Sequence, residues 1–275
     1  MKWGKLLHIF WLIFPTSLLA QMTQDYTGSI ATGMGGAALN AENIWAVRNN
    51  PAMLSALKKK EAAVDHGRIY ANSGLSSTAV ALVIPHQKAN LGAFACQSGY
   101  SGYRYLQTGL SLGKKLSEKL DMGMQLSYAS FDFGDRQYGS RHSLNSAIGA
   151  VIRLPKNIQM AVVVNNLHRP GISSTPANRE TMSLKAAVSY ATGKNTLFMA
   201  DVIQPNGARA IFRLGMEYRY QEQFIFRAGL ADNADFGQVS FGFGFKHKQL
   251  VWNSAALWHP LLGLTPQTGL HYVFP

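Results

Sequence analysis

The chain has 275 residues, a formal net charge of +12 and only 15% charged residues, against roughly 25% in ordinary soluble domains. Beyond the N-terminal leader no stretch reaches about 18 uninterrupted apolar residues, which excludes transmembrane helices, and a single cysteine, Cys96, excludes an intramolecular disulfide. Low charge together with 26 glycines and 47% hydrophobic residues suits a fold in which polar and apolar side chains alternate.

The chain begins with a short basic region holding Lys2 and Lys5, then a mostly apolar run at 6–14 and Thr16-Ser17-Leu18-Leu19-Ala20. This is the layout of a secretory signal peptide, which assigns residues 1–20 to a cleaved leader. Residues 21–59 follow as a separate segment, with Gly33, Gly35 and Gly36 near its start and Asn50-Pro51 near its end. Glycines permit close backbone approach, and Pro51 fixes its own φ and biases Asn50 away from helix. A phosphate-binding loop would need a preceding strand, a long following helix and a lysine in register. None is present, so this segment reads as a plug or closing piece.

Residues 60–275 read as strands joined by turns. Fourteen stretches show strand character: 62–70, 76–84, 90–97, 103–113, 122–131, 142–154 and 158–165, then 182–191, 196–203, 210–220, 224–230, 237–247, 250–258 and 268–274. An even number of strands, most about eight to eleven residues long, matches membrane barrels. Connections at 155–157, 193–195, 221–223 and 248–249 are short. Those at 132–141, 167–180, 231–235 and 259–266 are longer. Short periplasmic turns against longer outer loops are a barrel habit. The loop at 167–180 is the candidate for external contacts.

The alternation is clearest from 210 to 245. Phe212, Leu214, Met216, Tyr218, Phe226, Phe241 and Phe243 occupy one face. Arg213, Glu217, Arg219, Arg227 and Lys246 occupy the other and are the candidate lumen-facing residues. A period of two separates the faces of a strand. In a membrane barrel the apolar face meets lipid and the polar, glycine-rich face lines the interior. Tyr70, Tyr103, Tyr105, Tyr128, Phe131, Tyr190, Tyr218, Tyr220, Trp252, Trp258 and Tyr272 fall near strand ends, where the membrane–water boundary favours such rings. The fold class expected is therefore all-β, a transmembrane antiparallel barrel of about fourteen strands spanning 60–275, with a short N-terminal plug.

Chemistry is hard to find. No histidine pair has the helical spacing of a zinc site and no Gly-x-Ser-x-Gly elbow occurs. The pairs Asp132 with Asp135 and Asp232 with Asp235 match ordinary turn chemistry. The expectation is a protein that is not an enzyme, with no cofactor, no metal and no nucleic-acid partner, placed in the outer membrane against lipid.

The run Gly33-Met34-Gly35-Gly36-Ala37 with Asn50-Pro51-Ala52 resembles the start of the PorV/PorQ family, within the wider FadL-like outer-membrane barrels. Arg213-Leu214-Gly215-Met216-Glu217-Tyr218, Phe226-Arg227-Ala228-Gly229-Leu230, Phe241-Gly242-Phe243-Gly244-Phe245-Lys246 and the stretch from His259 to Thr265 resemble its C-terminal part. The resemblance implies a plugged fourteen-stranded barrel that works by protein contact, with a type IX translocon or a secreted cargo domain as partner. The alternative is a FadL-like transporter of hydrophobic small molecules, whose partner is an apolar ligand. Such a carrier needs an apolar interior, whereas these strands are read as turning mainly Arg, Gln, Ser, Gly and Lys inward.

Overall fold

The computed structural model describes residues 28–275 apart from 73, 101, 135–138, 168–181 and 234–235. The expected leader at 1–20 and nearly all of the expected contact loop at 167–180 lie outside the described residues.

Fourteen strands form the wall: β1 Glu61–Arg68, β2 Ser76–Ile84, β3 Asn90–Tyr100, β4 Tyr103–Lys115, β5 Leu120–Phe133, β6 Ser140–Leu154 and β7 Ile158–Asn165, then β8 Ser183–Thr192, β9 Thr196–Pro205, β10 Ile211–Tyr220, β11 Phe224–Asn233, β12 Phe236–His247, β13 Leu250–His259 and β14 Gly263–Val273. Each pairs antiparallel with its neighbours, and β14 pairs back onto β1 in the register Val64↔Leu270, so the sheet closes. Closure leaves no sheet edge, which a wall in lipid requires.

All fourteen expected strands are present, and β2 and β7 keep the expected bounds. The clearest shift is in β14, which starts at Gly263 rather than 268 and so includes Pro266. Proline lacks the N–H a ladder needs. Pairing between β1 and β14 stops at Gln267, so no β1 partner is lost at Pro266. The expected alternation of connection length holds only in part. Strands β11 and β12 are separated by residues 234–235, not by a long loop, and β3 and β4 by residues 101–102.

The outward face is apolar all round, with Val80, Leu110, Met124, Ile148, Leu214 and Phe241 exposed. On a soluble protein so large an apolar surface would demand a cover. On a closed barrel it is the lipid-facing belt of a membrane span.

The lumen is filled by the N-terminal segment. Within it, α1 Ser29–Thr32, α2 Ala46–Asn49 and a 3-10 turn at Pro51–Ala56 are linked by tight turns. Its Met34, Ile44, Trp45, Val47, Met53 and Leu54 are fully buried. They pack against Ala79, Ala81, Val83, Phe94, Val151 and Val163 of the wall in one apolar core. The inner faces of β2, β3, β6 and β7 thus carry small apolar residues toward the plug, interspersed with buried Ser77, Asn90, Ser143 and Asn145. The expected polar interior holds over most of the wall, where Gln107, Ser111, Gln125, Asp201, Glu217, Arg227 and Asn253 are buried, and this apolar patch interrupts it. Val80, Leu82 and Ile84 alternate with Ala79, Ala81 and Val83, so both faces of β2 are apolar and its pattern does not say which one points in.

Candidate functional site

A backbone lodged inside a barrel carries N–H and C=O groups that water no longer reaches, and each needs a partner. The wall supplies them. The Asp201 carboxylate accepts from the Ala38 and Leu39 N–H groups at 2.8 and 3.1 Å. The Asp65 carboxylate accepts from Ser29 N–H at 2.5 Å, and Ser240 Oγ accepts from Gly35 N–H at 2.7 Å. On the acceptor side, Asn90 Nδ2 donates to the carbonyls of Leu54 and Leu57, each at 2.7 Å. Ser111 and Gln125 donate to the Val47 carbonyl at 2.5 and 2.6 Å.

The expected plug residues each have a place in this fit. Gly35 and Gly36 adopt φ of 66° and 82°, the left-handed region that only glycine enters without strain. Gly33 lies where a β-carbon would meet the Gly242 Cα at 2.9 Å. Asn50 donates to the Leu39 carbonyl at 2.8 Å, and its Oδ1 accepts from Ala52 N–H at 3.1 Å. Pro51 opens the 3-10 turn that Asn50 caps, where a missing N–H costs nothing.

Strand glycines on the inner face match the plug. A β-carbon at Gly123 would fall on the backbone of Pro51 and Ala52, and one at Gly229 on Met34 and Gly35. Their position in the middle of strands was the available signal, since such glycines mark close backbone approach. Gly229→Val is expected to cost about 1–3 kcal/mol through overpacking and to make segment 28–57 sensitive to protease. Gly237→Ala, where an added β-carbon would meet nothing within 4 Å, is expected to do neither.

Of the candidate lumen residues, Arg213 donates to the Gly36 carbonyl at 3.2 Å and so holds the plug. Glu217 pairs with Arg227 at 2.7 Å and with Arg219 at 2.9 Å, and Arg227 Nη1 donates to Asn253 Oδ1 at 2.9 Å. Lys246 follows Gly244 on the same face of β12, but is exposed at the strand's end and outside this network.

Nearer the loops the lumen changes character. Tyr103 and Tyr105 of β4 share the face of buried Gln107 and Ser111, and Phe131 and Phe133 of β5 share that of buried Ser127 and Ala129. Tyr105 and Phe131 lie 4.7 Å apart between ring centroids and Tyr103 and Phe133 5.6 Å, with the Arg141 guanidinium 5.5 Å from the Phe133 ring. Tyr103, Tyr105 and Phe131 are therefore an aromatic wall inside the mouth, not part of an outer girdle. The plug forms the floor below them: Arg48 donates to Gln107 Oε1 at 3.1 Å, and Gln107 donates to Ser127 Oγ at 3.2 Å.

Inside, a gap of about 10 Å³ between Ala38, Leu39, Asp201 and Arg213 is no larger than a water site. Outside, an apolar groove of about 430 Å³ runs over Ala200 and Ala228 between Phe198 and Leu214. The pairs Leu214↔Leu230 and Gly215↔Gly229 run unbroken beneath it, so a molecule in that groove sits in the lipid and not in the lumen.

No protein-family model matches the chain. No curated protein sequence matches it either. Its fold is shared with solved outer-membrane barrels. The toluene transporter TbuX of Ralstonia pickettii superposes with a TM-score of 0.69 at 13% identity, over 90% of this chain and 98% of that one. The monoaromatic hydrocarbon channel CymD gives 0.70 at 14% identity, over 90% and 97%. A Pseudomonas aeruginosa FadL homologue gives 0.64 at 12% identity, over 90% and 98%. The chain thus shares the barrel fold of these transporters and channels.

Proposed function

We propose that this protein is an outer-membrane carrier of apolar small molecules, which enter at the aromatic mouth and pass when residues 28–57 shift. The observation that carries the reading is the lumenal position of Tyr103, Tyr105, Phe131 and Phe133. An ion channel gains nothing from aromatic rings there, whereas a small aromatic or aliphatic guest packs against them. The fold shared with hydrocarbon transporters favours the same reading. So does the apolar patch on the inner wall at Ala79, Ala81, Val83 and Phe94, set among inward residues that are otherwise mainly polar. The type IX association implied by the PorV/PorQ resemblance, with a translocon or cargo domain as partner, has no support in the structural likenesses and stands behind the carrier reading.

Cells whose outer membrane carries this barrel are expected to take up radiolabelled toluene faster than cells without it. Tyr105→Ala combined with Phe131→Ala is expected to lower the initial rate about fivefold, the scale of one lost aromatic contact. Uptake equal to that of barrel-free cells would overturn the proposal.

A further inference from the structure

The barrel's charge is segregated by residue type and by end. One end holds the turns β2–β3, β4–β5, β6–β7, β8–β9, β10–β11 and β12–β13, together with the start of β1 and the end of β14. Of the twelve lysines from residue 28 onward, eleven lie at this end and all eleven are exposed; the exception is Lys185. Lys58, Lys59 and Lys60 lead into β1, and Lys114, Lys115 and Lys119 surround the β4–β5 turn. Lys88, Lys156, Lys194 and Lys248 sit on four further turns, and Lys246, next to last in β12, lies on its lumen-facing side. Five of the six turns are therefore marked, and the positive charge runs round the whole circumference.

Little at this end neutralises it. Among the described residues none of the eleven lysines forms an ion pair. The two arginines here are already matched, Arg153 to Asp121 and Arg219 to Glu217. Exposed carboxylates at this end are Glu118 and Glu222 on the turns and Glu42 of the plug, which accepts from Gln159 at 3.2 Å. A ring of like charges held at one level repels itself unless anions lie against it.

The level of the ring says what those anions are. Outward-facing Tyr190, Tyr220, Trp252 and Tyr272 are exposed on the strands just before the turns. Tyr272 pairs with Ala62, two residues from Lys60, and Trp252 pairs with Phe245, next to Lys246. Such rings mark the boundary of the hydrocarbon layer, so ammonium groups immediately beyond them stand among the headgroups. Lysine, a point charge on a flexible apolar stem, suits laterally mobile phosphates.

We propose that this lysine collar binds the phosphates of anionic phospholipids and holds a selected shell of them around the turn end. The test is native mass spectrometry of the full barrel released from vesicles of equal phosphatidylglycerol and phosphatidylcholine. Retained phosphatidylglycerol is expected to exceed phosphatidylcholine about fivefold or more. Replacing Lys58, Lys59, Lys60, Lys194 and Lys248 by Gln should bring the ratio near one, while the same five changed to Arg should keep the preference. All five are exposed, so folding should be unaffected, and an unchanged heat-modified gel shift checks this. Equal retention of the two lipids by the unaltered barrel, or a preference that survives the Gln changes, would overturn the proposal. So would a barrel that ignores phosphatidylglycerol yet binds soluble polyglutamate, since the collar would then serve an acidic protein.

Discussion

Glu217→Ala is expected to destabilise the barrel by about 3–5 kcal/mol, because it strands a buried guanidinium. The Arg227 side chain is 3% exposed and that of Glu217 6%. With Glu217 gone, Arg227 keeps one side-chain partner, Asn253 at 2.9 Å. Arg219, whose side chain is 55% exposed, supplies the contrast: Arg219→Ala is expected to cost less than about 1 kcal/mol, as exposed pairs do. The double variant Glu217→Leu with Arg227→Met should recover most of the loss, since an apolar pair of similar volume removes both desolvation penalties. Urea unfolding of the reconstituted barrel measures all three. A Glu217→Ala loss no larger than that of Arg219→Ala would show that water reaches the pair.

The second large effect is on the other face. Phe241→Arg is expected to cost about 2–4 kcal/mol, the penalty for a cation near the bilayer midplane. Phe241 is 65% exposed at the middle of β12 and pairs with Ala228 and Ala256. It therefore reports lipid contact with little lost packing. Phe243 is a poorer probe, because its ring lies 5.6 Å from Phe226 and 6.1 Å from Trp252, and replacing it breaks those contacts as well. Phe241→Leu should be close to neutral. Unfolding in vesicles measures both, and an Arg substitution tolerated as well as Leu would mean that this face meets water.

The wall was legible in the sequence because period-two alternation is a local signal. Phe212 to Tyr220 and Arg213 to Arg219 sort themselves by face without tertiary information. The strand ends were less legible where turn residues continue a strand, as at Thr265 and Pro266. The interior was harder for a different reason. In β2, Ala79, Ala81 and Val83 face the plug while Val80, Leu82 and Ile84 face lipid, and both sets are apolar. The rings at Tyr103, Tyr105 and Phe131 fit an outer girdle by position alone. Only their even spacing from Gln107, Ser111 and Ser127 puts them inside. The plug's Gly and Asn-Pro positions stood out locally, but the wall positions that receive them, such as Asp65, Asp201, Ser240 and Gly229, are brought to the plug only by closure of the barrel.

What leaves the membrane with the barrel tests the carrier account most directly. Extracted from native outer membranes in mild detergent and analysed by mass spectrometry, the barrel is predicted to bring an apolar small molecule in near-stoichiometric amount, and Tyr105→Ala with Phe131→Ala to bring markedly less. Recovery of a large translocon subunit or a secreted cargo domain at one copy per barrel, with no small molecule, would contradict it.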